Sequence, residues 1–309
     1  VDHLARSLGN GLVQTAIDRA AEVRIRDDRL QALADAPESR ILPLCRDRNL
    51  VAGRGALRAV WLSPGQLDLP GSEALVFLGL LDGQAVFTVD LQEDDSRLAA
   101  LGEHGRFEEL RSVAGCLSER DVSMLAYARG MCFWRRRHQY CGACGGATRP
   151  ERGGHVRRCS NEACRASHFP RTDPAIIVLV SSADRCLLGH KPEWPEGRFS
   201  TIAGFVEPGE AVEQAVVREV YEETAVAVAE VSYHSSQPWP FPGAVMLGFH
   251  ARAAATDAIE LLDGELGEAR WFHREEVGRA LAREGSLRLP PGVSIARRLI
   301  EDWYYHGPL

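Results

Sequence analysis

The sequence predicts a mixed α+β and α/β protein in three parts, and three observations carry that prediction. Two apolar runs flank an Asp-Gly pair in the first third. Four cysteines bound a short, loop-rich middle. From about Arg171 onward, strand-like runs alternate with helical patterns. At 309 residues the chain is long enough for two or three domains, each with its own core. We divide it into a β-rich segment 1–137, a cysteine-bounded segment 138–170 and an α/β segment 171–309.

In the first segment, residues 74–81 and 84–91 flank Asp82-Gly83, two residues that tolerate positive φ, which predicts a hairpin. Residues 58–62 predict another strand. A helix is expected from a Ser118 cap to about His138, with Asp121 three residues on to complete a capping box. No catalytic motif falls in residues 1–130, so this part is read as a structural or dimer-forming domain. In the last segment, strands are expected at 175–180, 186–190, 226–233, 245–251 and 269–272. Helices are expected over roughly 211–224 and 294–305.

The helix at 211–224 carries Arg218-Glu219-Val-Tyr-Glu222-Glu223. Residues three and four apart share a helix face, so Glu219, Glu222 and Glu223 fall within about one turn. Such crowding raises carboxylate pKa values, and a hard divalent cation, Mg²⁺ or Mn²⁺, relieves it with oxygen ligands. Arg218 neutralises part of the cluster. For three glutamates alone, a solvated acidic face is the alternative. The longer pattern is Gly204, five residues, Glu210, seven residues, then Arg218-Glu219-x-x-Glu222-Glu223, which resembles the Nudix box, and that resemblance implies the metal site.

Cys141-x-x-Cys144 and Cys159-x4-Cys164 offer four thiolates to a structural, tetrahedral Zn²⁺. Two disulfides or unrelated thiols are the alternatives. No apolar leader stands at the start, and no run approaches the length of a membrane span. A reducing cytoplasm is therefore expected, which disfavours disulfides. Cys45, Cys116, Cys132 and Cys186 are read as buried small apolar residues.

The net charge of −7 argues against a dedicated duplex-DNA binder. Residues 131–171 nevertheless hold nine arginines against two glutamates, a local +7 that leaves −14 for the remainder. That segment either attracts a dinucleotide or RNA phosphate, or is a solvated surface balancing an acidic partner domain.

Soon after the acidic helix comes Gln237-Pro238-Trp239-Pro240-Phe241-Pro242. Three prolines fix φ and remove donors, so this loop is stiff and cannot be an inner strand. It either caps a core or presents Trp239, Phe241 and the Gln237 amide to a ligand.

Together these motifs resemble the NADH pyrophosphatase branch of the Nudix hydrolases. The resemblance implies a Nudix α/β/α sandwich preceded by a zinc ribbon and a β-rich domain. It also implies a homodimer that cleaves NAD(H) to nicotinamide mononucleotide and AMP. By motif position, Glu219, Glu222, Glu223, the Ala203 carbonyl and Glu265 would hold Mg²⁺ or Mn²⁺, with Glu268 competing with Glu265. Arg218 would support the catalytic glutamates. Phe169 and Phe205 would stack on substrate rings. Gln237, Pro238, Trp239, Pro240, Phe241, Pro242, Gly243 and Ala244 would line the pocket, and Ala296 would give a backbone contact. Two positions depart from the family pattern: Ala225 stands where glycine is usual, and Ala244 where serine is usual. The same chemistry would remove an NAD cap from RNA.

Overall fold

A computed structural model of the chain describes residues 2–67, 74–92, 96–254 and 258–307. Contacts divide it into two units. The N-terminal unit holds residues 14–172 and 239–243; the C-terminal unit holds 1–13, 173–238 and 244–309. The ribbon is thus grouped with the β-rich segment. The first thirteen residues, expected in the β-rich part, are grouped with the last.

The chain begins with a short helix α1 (His3–Leu8) of the C-terminal unit. The N-terminal unit then runs α2 (Asp27–Asp35), β1 (Arg40–Cys45), β2 (Arg48–Ala52), β3 (Arg58–Ala59), β4 (Val76–Leu81) and β5 (Gln84–Leu91). It continues with α3 (Arg97–Leu101), β6 (Arg106–Glu109), α4 (Leu110–Val113) and α5 (Glu119–Arg137). The sheet order is β3-β2-β1-β5-β4, with β6 beside β2 and β1 parallel to β5. The expected hairpin is β4–β5, and Asp82 and Gly83 take φ of 52° and 80°. The strand expected at 58–62 shortens to β3, with Leu62 bridging Ile41. Ser118 caps α5 by accepting from the Asp121 N–H at 3.1 Å, but the Asp121 carboxylate accepts from Ala59 N instead of closing a capping box. Ile41, Leu50, Phe77 and Phe87 centre the core. Strands β7 (Thr148–Glu151), β8 (Val156–Cys159) and β9 (Ser167–His168) make the ribbon.

The C-terminal unit runs β10 (Asp173–Ser182), β11 (Arg185–His190), β12 (Ile202–Phe205), α6 (Val212–Thr224), β13 (Val228–Trp239) and β14 (Ala244–Ala253). It closes with β15 (Glu268–His273), α7 (Arg274–Leu281) and α8 (Ile295–His306). The order is β13-β14-β10-β11-β15, with β12 also paired to β10 and β14 parallel to it. Alternate residues of β10 serve opposite faces, as the two-residue period of a strand requires. Ile176, Val178 and Val180 pack with Val216 and Val220 of α6; Ile177 and Leu179 pack with Leu299, Ile300 and Trp303 of α8. This is the α/β/α sandwich. Fully burying each such side chain stabilises by about 1.5–3 kcal/mol.

Strand β13 ends the sheet, and residues before the N-terminal unit cover its edge. Ser236 N donates to Ser7 Oγ at 3.0 Å, and Asn10 Nδ2 donates to the Ser236 carbonyl at 2.8 Å. Edge groups left open would invite pairing with another chain.

Candidate active site and metal sites

The motif segment starts on β12, where Gly204 pairs opposite Ile176 on β10. A Cβ at Gly204 would lie 1.9 Å from Glu219 Cδ, so glycine is required to let the Glu219 carboxylate pass over the strand. Gly209, at φ 97°, turns the chain toward α6. Ala211 has no capping side chain; its N–H donates instead to Gln214 Oε1 at 2.8 Å. At the helix exit Ala225 adopts φ 57°, so the left-handed turn survives without the usual glycine.

Arg218 organises the acidic cluster. Its Nη1 lies 2.9 Å from Glu219 Oε1 and 2.9 Å from Glu222 Oε2. Its Nε and Nη2 reach the Glu210 carboxylate at 3.1 and 2.7 Å, and Nη2 also donates to the Phe205 carbonyl at 2.9 Å. Glu222 stands on the exposed rim. Glu219 is half-buried, and burial raises its carboxyl against the pull of Arg218.

Glu223 is different. It is 2% exposed, and its Oε1 has no hydrogen-bond partner among the described residues. Burial pushes its carboxyl up to about 8; Glu219, Glu265 and Asp263 add to this and Lys191 opposes it. A buried carboxylate oxygen without a donor, beside a second carboxylate threaded over a glycine, suits a divalent cation. Glu265 acts electrostatically on both Glu219 and Glu223, and its Oε2 accepts from Lys191 Nζ at 3.1 Å. Glu268 pairs with Arg270 on β15 at 3.1 Å. Ala203 sits half-buried on β12, opposite Ile177.

The aromatic-proline loop divides between the two units. Gln237 is fully buried in the C-terminal unit. Its Nε2 donates to the Gly11 and Val293 carbonyls at 2.6 and 2.7 Å, and its Oε1 accepts from Ile295 N at 2.9 Å. The ligand contact expected of this amide therefore has no exposed atom to make it; Gln237 anchors the base of the loop. Ala244 and Ala296 are also buried, with Ala296 N donating to Ser294 Oγ at 3.3 Å. Pro238 is exposed. Residues 239–243 belong to the N-terminal unit, where Arg129 Nε donates to the Pro240 carbonyl at 2.8 Å. Trp239 and Phe241 meet edge-to-face at 5.0 Å, and the Phe241–Pro242 bond is cis. Phe205 and Phe169 are 59% and 60% exposed, one in each unit, so each offers a free ring face.

In the ribbon, the Sγ atoms of Cys141, Cys144, Cys159 and Cys164 lie within 4.8 Å of one another, the spacing of a tetrahedral metal site. Among the described residues no other group of cysteine, histidine or carboxylate side chains gathers this closely. Gly145 N donates to the Cys141 carbonyl and Cys164 N to the Asn161 carbonyl, at 2.8 and 3.0 Å. The longer second spacing fits because Cys159 still lies on β8 and the turn begins only at Asn161. Of the other four cysteines, Cys45, Cys132 and Cys186 are buried as expected, whereas Cys116 is exposed, at the end of a short helical turn.

The basic stretch is less available than its composition suggests. Arg136 is held by Asp47 and Asp90, Arg135 by the Ala74 and Leu75 carbonyls, and Arg157 by Thr148. Arg137, Arg149, Arg152, Arg165 and Arg171 are exposed, Arg149 with Glu151 at 3.3 Å.

Two contributors escaped the sequence reading. Lys191 follows β11 with no motif around it. Gly11, whose Cβ would lie 2.6 Å from the Val293 carbonyl oxygen, is remote from the site in sequence. Among the described residues, no helix is long and apolar enough to cross a membrane.

Comparison with known proteins agrees with this geometry. A NUDIX domain matches residues 170–291, an NADH pyrophosphatase-like rudimentary NUDIX domain residues 38–134, and an NADH pyrophosphatase zinc ribbon domain residues 136–169. The NAD-capped RNA hydrolase NUDT12 of Homo sapiens is 40% identical over 97% of this chain and 74% of its own. The NAD-capped RNA hydrolase NudC of Mycobacterium bovis (strain BCG / Pasteur 1173P2) is 36% identical over 94% of both chains. Nudix hydrolase 19, chloroplastic, of Arabidopsis thaliana is 37% identical over 80% of this chain and 63% of its own. With its α/β/α sandwich, its carboxylate helix and its cysteine ribbon, the chain belongs to the Nudix hydrolases, in the branch that carries the NADH pyrophosphatase zinc ribbon.

Proposed function

We propose that the chain hydrolyses the pyrophosphate bond of NAD(H), giving nicotinamide mononucleotide, or its reduced form, and AMP. The observation that carries this reading is the buried Glu223, with an unpartnered oxygen, beside Glu219 and within the field of Glu265. Glu219, Glu223 and Glu265, with the Ala203 carbonyl and with Glu222 alongside, would hold Mg²⁺ or Mn²⁺. When bound, such a cation polarises a phosphoryl oxygen and lowers the pKa of a bound water.

The chain's own groups do the rest. Arg218 fixes the orientation of Glu219 and Glu222 through two 2.9 Å contacts. Glu223, or Glu222 beside it, accepts the proton of the attacking water. Burial of Glu223 keeps its basicity near neutral pH, where a general base is most effective. In the C-terminal unit the exposed Phe205 ring offers a face for a ring of the substrate. A homodimer and a cytoplasmic setting complete the proposal. They rest on the family resemblance and on the cysteine usage, and light scattering of the purified chain tests the first.

The test is turnover of NADH with Mg²⁺ or Mn²⁺, with chromatography for AMP. Glu223→Gln should lower the rate by at least about a thousandfold while the melting temperature holds or rises, because a neutral amide replaces a buried acid. Retained cleavage in that variant would end the assignment.

Removal of the NAD cap from RNA is the second reading. The names of the human and mycobacterial relatives and the five exposed arginines favour it. Capped RNA should then be processed faster than free NADH at matched low-salt concentration, with a steeper loss of rate as salt rises. Equal rates and equal salt slopes would refute it.

A further inference from the structure

The chain has 36 lysine and arginine residues, and Lys191 is the only lysine among them. That residue stands at the acidic cluster of the hydrolytic site. It follows directly on β11, with its side chain about one-third exposed and its Nζ 3.1 Å from Glu265 Oε2. Its charge also acts on Glu223 and Glu193.

The site thus contains both kinds of cation, used differently. Arg218 spreads a planar fork over Glu210, Glu219, Glu222 and the Phe205 carbonyl, a fixed five-contact arrangement. Among the described residues the Lys191 ammonium makes one hydrogen bond, to one carboxylate, from the end of a flexible four-carbon stem. An ammonium is a compact point charge that rotates between acceptors, whereas a guanidinium locks onto carboxylates in a plane. Everywhere else the chain uses arginine for positive charge. At this one position it carries the side chain suited to exchanging partners.

On the reading above, Glu265 turns toward a divalent cation. Lys191 then loses its hydrogen-bonded carboxylate and keeps only the unbonded charges of Glu193 and Glu223, and a part-buried ammonium without a hydrogen-bonding anion is unfavourable. The incoming diphosphate supplies one. We propose that Lys191 is a substrate-binding residue of this site, its ammonium passing from Glu265 to a non-bridging oxygen of the diphosphate bridge. This inference rests on the dinucleotide reading and deepens it by naming the side chain that receives the phosphate charge.

The experiment compares the full-length chain with Lys191→Gln and Lys191→Met. The substrate probe is an NAD analogue with a methylene group in place of the bridging oxygen, titrated calorimetrically with Mn²⁺ present. Binding of Mn²⁺ alone is read by electron paramagnetic resonance. Both variants should bind the analogue about tenfold or more weakly, as expected for a lost charged hydrogen bond. They should bind Mn²⁺ no more weakly than the parent, because the ammonium that competes for Glu265 is gone. In turnover, KM for NADH should rise by more than kcat falls. Unchanged analogue affinity would overturn the proposal. So would a parallel loss of Mn²⁺ affinity, which would leave Lys191 only the task of holding Glu265 in place. A parent chain that neither binds the analogue nor cleaves NADH would instead refute the dinucleotide reading, and that result is visible before any variant is made.

Discussion

In the ribbon, four cysteine sulfurs already stand within 4.8 Å of one another, whereas on α6 and its neighbours the glutamates are tied to Arg218 and Lys191. The difference is chemical. Thiols gather while neutral, and two backbone turns suffice to place them. Carboxylates repel one another near neutral pH, so their approach needs counter-charges, burial or protonation. The ribbon is accordingly a closed site whose geometry comes from the backbone. The α6 cluster is an electrostatic balance of carboxylates against Arg218 and Lys191.

The largest effect should come from breaking the closed site. Chelating zinc, or Cys159→Ser, removes folding energy on the order of 10 kcal/mol, the scale of structural zinc in small modules. Hydrogen exchange should then show residues 141–168 losing protection. Retained protection after full zinc release would contradict a structural role.

Next is Gly204→Ala. Its Cβ would fall 1.9 Å from Glu219 Cδ, so Glu219 must swing away from β12. Overpacking of this kind costs about 1–3 kcal/mol. Turnover should fall by roughly a hundredfold through the displaced ligand, measured as kcat/KM for NADH. A variant as active as the parent would show that Glu219 need not cross the strand.

The balance on α6 also predicts a pH dependence. Glu223 has its folded pKa raised from 4.5 to about 8 by burial. Below about 8 it keeps a proton that a cation must displace, so Mn²⁺ affinity should rise by up to about tenfold per pH unit between pH 6 and 8. For the metal-free chain the sign is opposite. A raised carboxyl stabilises the fold below 4.5, and that contribution disappears as pH rises through about 8. Thermal melts of the parent and Glu223→Gln, without metal, should therefore converge at low pH and separate toward pH 8, with the variant the more stable.

The smallest effect lies at the helix exit. Ala225 holds φ 57°, a conformation that costs a non-glycine residue about 1–2 kcal/mol. Glycine there loses part of that gain through the entropy of its unfolded state. Ala225→Gly should thus stabilise by about 0.5 kcal/mol net, read from urea denaturation, and leave kcat unchanged.

Local patterns were legible without a structure. The β4–β5 hairpin follows from Asp82-Gly83, α5 from its Ser118 cap, and α6 from the spacing of Arg218, Glu219, Glu222 and Glu223. Strands β1 and β2 escaped notice, and so did the parallel pairing of β1 with β5, because distant pairing leaves no local signature. Charge count misled in one respect: Arg135, Arg136 and Arg157 are engaged inside the N-terminal unit, which composition cannot reveal.

The sequence by itself determined the chemistry, because a metal needs ligand atoms of a given type, and here they lie close together along the chain: four thiols within twenty-four residues, three carboxylates within five. Only the tertiary structure decided which groups remain free to act. It buried Gln237 against Gly11, Val293 and Ile295, set Glu265 rather than Glu268 in the field of Glu223, and brought Lys191 to that carboxylate. Burial and long-range charge depend on distances through space, and residues 11, 191, 223, 237 and 265 become neighbours of their partners only after the sheet has formed.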